Sequence, residues 1–143
     1  MRILGLDIGS KRIGVAVSDE LGLTAQGIET LNRKNPDTDL GRILDLAKEY
    51  AVREIVVGMP YNMDGSEGPQ AAFVREIMEQ LASRTELPIR EWDERLTSAA
   101  AERTLLEADM SRAKRRKVID KLAAVLILQG YLDRERTRAD SIP

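Results

Sequence analysis

Cysteine and histidine are both absent from this 143-residue chain. Without cysteine there are no disulfides, no thiolate metal sites and no cysteine nucleophile. Without histidine the chain lacks the usual general base near neutral pH and the commonest transition-metal ligand. Any hydrolytic chemistry then rests on carboxylates, lysine, hydroxyls or metal ions held by oxygen. Aromatic residues make up only 3%, so Leu, Ile, Val, Ala and Met must build the core. No apolar run approaches the roughly 18 residues of a membrane span, and the amino terminus enters a strand with no sign of a signal peptide. A cytoplasmic protein with no membrane partner is expected. The net charge of −2 carries no overall basic excess of the kind that marks many nucleic-acid binders. Its distribution is uneven, because "RAKRRK", residues 112–117, is nearly all basic.

What is present reads as one α/β domain over residues 1–135, followed by a polar tail at 136–143 that composition marks as disordered. Residues 2–8 and 12–18 alternate as strands do and meet across the Gly-led turn "GSKR", a hairpin. A third strand is expected over 26–31. Leu40, Ile43, Leu44 and Ala47 fall at helical spacing within 38–50, with Thr38 or Asp37 as the expected N-cap. "REIVVGMP" reads as a strand buried on both faces, "YNMDGSEGP" as a loop, and 69–83 as a helix with Pro69 in its first turn. "LPIREWDE" is a further strand, "TSAAAERTLLEA" a helix capped by Thr97 or Ser98, and 111–135 a long final helix. A three-strand meander followed by alternating helices and strands implies a mixed sheet with helices on both faces.

Three acids stand where charge is expensive. Asp7 alternates with Leu4, Leu6 and Ile8 and so faces away from them, beside the small residues Gly5, Gly14 and Ala16. A face of small side chains lets another element or a ligand come close. Asp93 and Glu94 end the strand "PIREW", and Asp120 lies within the apolar run "VIDKLAAVLIL". Burying such ions is costly unless they are paired or bound to metal. Each also has a purely structural reading: an Asx turn at "DIGS" for Asp7, a helix-dipole acid for Asp120, and a cap or an ion pair with Arg95 for Asp93 or Glu94. If the acids converge, hard divalent cations turn their repulsion into a binding site.

"LGLDIGSKRIGVAVSD", "IVVGMPYNMDGSEGPQA", "DERLTS" and "KVIDKLAAVLILQGYL" resemble, in order and over nearly the whole chain, the signature blocks of the YqgF family, also called RuvX. Its members are RNase H-like bacterial proteins described as Holliday-junction resolvases and as nucleases of the pre-16S rRNA end. The resemblance implies a central five-stranded mixed sheet, its first three strands antiparallel, flanked by helices. It also implies an acidic site of Asp7, Glu94 and Asp120, which carry both catalysis and metal binding. Two Mg²⁺ or Mn²⁺ ions held there would serve phosphodiester hydrolysis without histidine or a covalent nucleophile.

Substrate contacts are expected from Lys11 and Arg12 in the hairpin turn, from Lys114, Arg115 and Arg116 at the start of the final helix, and from Asn62 in the loop. Trp92 and Phe73 read as core rather than as stacking platforms. The expected partners are nucleic acid (pre-rRNA or branched DNA), ribosomal subunit precursors and, for junction resolution, a second copy in a homodimer. Two rival readings remain. The opening block also resembles the phosphate-binding hairpin of the sugar kinase, Hsp70 and actin superfamily, which binds ATP. A non-catalytic rRNA-binding module of ribosome assembly would keep the basic stretch and make no use of the acids.

Overall fold

The computed structural model describes the backbone of residues 1–97 and 112–141 and the side chains of 1–97 and 121–138. Five strands form one sheet in the order β3-β2-β1-β4-β5. They are β1 (Arg2–Ile8), β2 (Arg12–Ser18), β3 (Ala25–Asn32), β4 (Val52–Met59) and β5 (Ile89–Asp93). β1–β2 and β2–β3 pair antiparallel, whereas β1–β4 and β4–β5 pair parallel. The expected mixed sheet, with an antiparallel first trio, is the one found. The expected third strand is two residues longer, beginning at Ala25 and ending at Asn32. Its pairing with β2 slips between Val15 and Ala16, which accommodates one extra residue on β3.

Strand alternation sorts the side chains onto two faces. Leu4, Leu6, Ile8, Ile13, Val15, Val17, Ile55, Val57 and Met59 share one core with α1 (Pro36–Glu49) and α2 (Pro69–Ala82). Ala71, Val74, Ile77 and Leu81 supply the buried stripe of α2 at intervals of three and four. Ile3, Ala16, Val56 and Trp92 face the other way, onto Ala124, Ile127, Leu128 and Leu132 of α3 (Arg112–Ser141). The helix expected over 97–108 lies outside the described residues.

Two terminus expectations change. The N-cap of α1 is Asn35, not Thr38 or Asp37: Asn35 Oδ1 accepts from the Thr38 N–H at 2.9 Å, and Pro36 occupies the first turn. Proline needs no hydrogen-bond acceptor there, so the helix starts before the acids begin. α3 also continues to Ser141 through the segment whose composition suggested a disordered tail. Ion pairs three residues apart, Arg136 with Asp133 at 2.6 Å and Arg138 with Glu135 at 3.2 Å, line its last turns.

Glycines set the height of α3 above the sheet. A Cβ on Gly5 would stand 2.7 Å from Leu128 Cβ and 3.4 Å from the Ala124 carbonyl oxygen, and one on Gly58 would strike Ile127. From the helix side, a Cβ on Gly130 would meet the Trp92 ring at 2.8 Å. Gln129 fixes the register, its Oε1 accepting from Ala25 N–H and its Nε2 donating to Leu23 O, both at 2.9 Å. Gly41, inside α1, has open space around it instead. Gly5→Ala is therefore expected to destabilise the fold by about 1–3 kcal/mol through overpacking. Gly41→Ala is expected to stabilise it by up to about 1 kcal/mol through helix propensity. Chemical denaturation of both variants beside the parent checks the opposite signs.

Candidate active site

The three parallel strands β1, β4 and β5 end together, and open α/β sheets bind ligands outside the carboxyl ends of such strands. Leu6 pairs with Val57, so Asp7 and Gly58 come next to each other along β1 and β4. Gly58 in turn pairs with Trp92, one step before Asp93 and two before Glu94. Asp7 sits on the α3 face, as alternation predicted, and is half-buried. It also pairs across the hairpin with Gly14, so small residues flank it on both neighbouring strands.

Glu94 begins a short 3₁₀ turn, Glu94–Leu96, directly after β5. Its Cγ lies 3.2 Å from where a Cβ on Gly58 would stand. The side chain thus lies over the glycine of the intervening strand, on the way from β5 toward β1. Sequence reasoning read Gly58 only as part of the buried strand "REIVVGMP" and missed this role. An isolated glycine inside an apolar strand does, however, signal close approach of another group.

The two adjacent acids differ in their contacts. Asp93 carries the structural duties: it caps the 3₁₀ turn by accepting from Arg95 N–H at 2.9 Å and pairs with the Arg95 guanidinium at 2.7 Å. The Arg95 hydrogen bond holds the Asp93 carboxyl below its usual range, against a smaller opposing effect of burial. Because that pKa is depressed in the fold, the stabilisation is present at neutral pH. It is lost as pH falls through the ordinary aspartate value, about 3.9, toward the folded one. Of the two acids, Glu94 is the one set over Gly58.

Asp120 occupies α3 one helical turn ahead of Ala124, whose carbonyl rests against Gly5. The helix runs antiparallel to β1 in this contact, Leu132 lying by Ile3 and Leu128 by Gly5, so its earlier turns approach the level of Asp7. The side chains of Asp120, Lys114, Arg115 and Arg116 lie outside the described ones. Among the described residues no group of three or more carboxylates is close enough to hold a metal ion.

Lys11 is exposed in the hairpin turn and Arg12 opens β2, both on the rim beyond the end of β1. That turn is closed by Gly9 N–H donating to Arg12 O at 2.9 Å. It is braced from behind by Arg33, a residue with no local sequence signal. Arg33 donates to the Gly9 and Ser10 carbonyls at 3.4 and 3.3 Å and stacks on Phe73 at 4.6 Å. The loop 60–68 is likewise tied down. Asn62 Nδ2 donates to Ser66 Oγ at 3.0 Å, so the Asn62 amide expected to meet substrate is engaged within its own loop. Arg95 donates to Met63 O at 3.2 Å, and Arg75 bonds Tyr61 Oη at 3.0 Å and Glu91 at 2.9 Å. Trp92 and Phe73 are core residues, as expected, each packed within one of the two sheet faces.

Comparison with known proteins bears on this geometry. A Symbiobacterium thermophilum protein named "Putative pre-16S rRNA nuclease" is 59% identical over 138 residues, 96% of each chain. A Clostridium novyi protein of the same name is 56% identical over 133 residues, 93% of this chain and 98% of that one. Among solved structures, RuvC of T. thermophilus in complex with a Holliday junction substrate superposes with a TM-score of 0.61 at 13% identity, over 96% of both chains. The fowlpox virus Holliday junction resolvase superposes with a TM-score of 0.55 at 16% identity, over 94% of this chain and 99% of that one. At these identities the structural likeness speaks to fold, which is RNase H-like. With residues 1–134 matching the family described as RuvX, Holliday junction resolvase, the chain belongs to that family.

Proposed function

We propose that this chain is a metal-dependent endonuclease hydrolysing phosphodiester bonds, its substrate the precursor end of 16S rRNA. The observation that supports this most is Glu94 lying over Gly58 beside the strand of Asp7, while the adjacent Asp93 is held by Arg95. The name shared by the relatives favours RNA, and the family description names a DNA junction instead.

Asp7, Glu94 and Asp120 would hold two Mg²⁺ or Mn²⁺ ions. The donors fit such ions, since hard cations prefer carboxylate oxygens and the chain offers no histidine or thiolate. Bound there, the ions supply an activated water and stabilise the leaving oxygen. The protein's part is to hold the acids near one another at a half-buried edge, where their mutual repulsion creates the demand for cations. Lys11 and Arg12 on the rim, and Lys114, Arg115 and Arg116 at the start of α3, would neutralise the phosphates that flank the scissile bond. Arg33 and Arg95 act indirectly, as positioning residues for the hairpin turn and the loop. Pre-rRNA within a ribosomal subunit precursor is the partner that goes with this reading, and a homodimer would be needed only for paired cuts across a junction.

The site acids also separate the rival readings. A nucleotide-binding protein of the sugar kinase, Hsp70 and actin superfamily would gain stability with ATP, and an inert rRNA-binding module would respond to neither ATP nor metal. The nuclease reading predicts that Mn²⁺ raises the unfolding temperature of the parent and not of Asp7→Asn, because ligand binding favours the folded state.

Asp7→Asn and Glu94→Gln are each expected to lower metal-dependent cleavage by about 100-fold or more, since each weakens charge stabilisation of several kcal/mol. Asp93→Asn is expected to retain most of the chemical step and to lose stability instead, through its cap and ion pair. Cleavage assays on a pre-16S rRNA end and a four-way DNA junction, run side by side, check both the acids and the substrate. Full activity in Asp7→Asn, or loss in Asp93→Asn matching that in Glu94→Gln, would refute the assignment.

A further inference from the structure

At the opposite end of the α3–sheet seam lies a cleft of about 530 Å³, lined by Arg53 and Glu54 of β4, Arg90, Glu91 and Trp92 of β5, and Tyr131, Arg134, Glu135 and Arg138 of α3. Its charge is unbalanced once the ion pairs are followed. Glu54 takes a hydrogen bond from Tyr131 Oη at 2.8 Å and pairs with Arg90 at 3.7 Å. Glu135 pairs with Arg138 at 3.2 Å, and Glu91 pairs with Arg75 outside the cleft at 2.9 Å. Every lining carboxylate thus has a cationic partner. Arg53 and Arg134, both exposed, have no carboxylate partner among the described residues, and Arg134 lies over the Trp92 ring at 5.9 Å. The Tyr131 hydroxyl is kept neutral by burial and by its bond to Glu54, so it adds no negative charge.

Two surplus guanidinium groups in an open polar cleft suit phosphate, which their fork geometry binds in bidentate fashion. The distance to the acidic end favours one source of phosphate. Tyr131 and Arg134 follow position 120 on the same helix by about 17 and 21 Å of axis at 1.5 Å per residue. That span corresponds to about six to eight base pairs of an RNA duplex, whose rise per pair is somewhat shorter than that of B-DNA. We propose that this cleft is a second anchoring site, where Arg53 and Arg134 grip the sugar–phosphate backbone of the same nucleic acid that is cut at Asp7 and Glu94. This rests on the nuclease reading and adds a footprint to it: the backbone runs along the α3–sheet seam from one end to the other. Neither arginine touches the reacting atoms, so the anchor acts on binding and register and not on the chemical step.

The test measures binding of an RNA duplex of about 20 base pairs and of one of about five, too short to span the seam. The full chain and its Arg53→Gln/Arg134→Gln variant are titrated over a range of salt. The variant is expected to bind the long duplex about tenfold more weakly, with a salt slope lower by about two. Its affinity for the short duplex, and its turnover once bound, should match the parent. Arg53→Gln alone leaves the contact with Trp92 intact and should lower the slope by about one. Equal affinity and equal slope for the long duplex in parent and variant would overturn the anchor while leaving the nuclease reading standing. A parent that binds neither duplex would overturn both. Tripolyphosphate that binds the parent and not the variant, with duplex affinity unchanged, would make the cleft a small-anion site and overturn the backbone assignment.

Discussion

The close approach of α3 to the sheet governs the rest of the molecule. Gly5 lets Leu128 and the Ala124 carbonyl down onto β1, and Gly58 admits both Ile127 and Glu94 above β4. A methyl group at either position would lift the helix by more than the sub-ångström tolerance of a packed interior. The helix backbone is also the element that brings position 120 toward the end of β1. The glycines therefore close the second core and set the height of the helix above β1 and β4. Dispersion contacts of Ala124, Ile127 and Leu128 stabilise the approach.

Arginine supplies the second level of order around the site. Arg33 braces the turn after β1 from the α2 side, and Arg95 ties β5, the 3₁₀ turn and the loop 60–68 into one unit. Arg75 extends that unit through Tyr61 and Glu91 to α2. Each of these cations binds carbonyls or carboxylates that loops would otherwise leave to water. The loop 60–68 is consequently braced against β5 and α2, and Asn62 belongs to its internal wiring.

Much of this was readable from the sequence, and the limits have physical causes. Period-two alternation placed Asp7 on the face opposite Leu4, Leu6 and Ile8, because a strand leaves no other choice. The parallel pairing of β4 and β5 followed from helices intervening between apolar strands. The cap of α1 was misplaced because Thr38 and Asp37 are good cap residues in isolation, whereas Asn35 followed by Pro36 combines a cap with a ring already set for the first turn. Glu94 could not be told from Asp93 by pattern, since both lie at one strand end. Their contacts differ in the fold, where Arg95 bends back onto Asp93 through the 3₁₀ turn. Gly58 and Arg33 act through residues more than 20 positions away, beyond the reach of local spacing. The cleft at Arg53 and Arg134 gathers two strands and a helix, so no stretch of sequence announces it.

The two sheet faces also differ in when they can close during synthesis. The face built from Leu4, Ile13, Ile43 and Val74 has its helices complete by Ala82, early in a chain made from the amino end. Ile3, Ala16 and Val56 wait for Ala124 to Leu132 to emerge from the ribosome before they lose contact with water. The nascent chain therefore passes through a half-covered stage with apolar surface open along β1, β2 and β4, and the last helix ends that exposure.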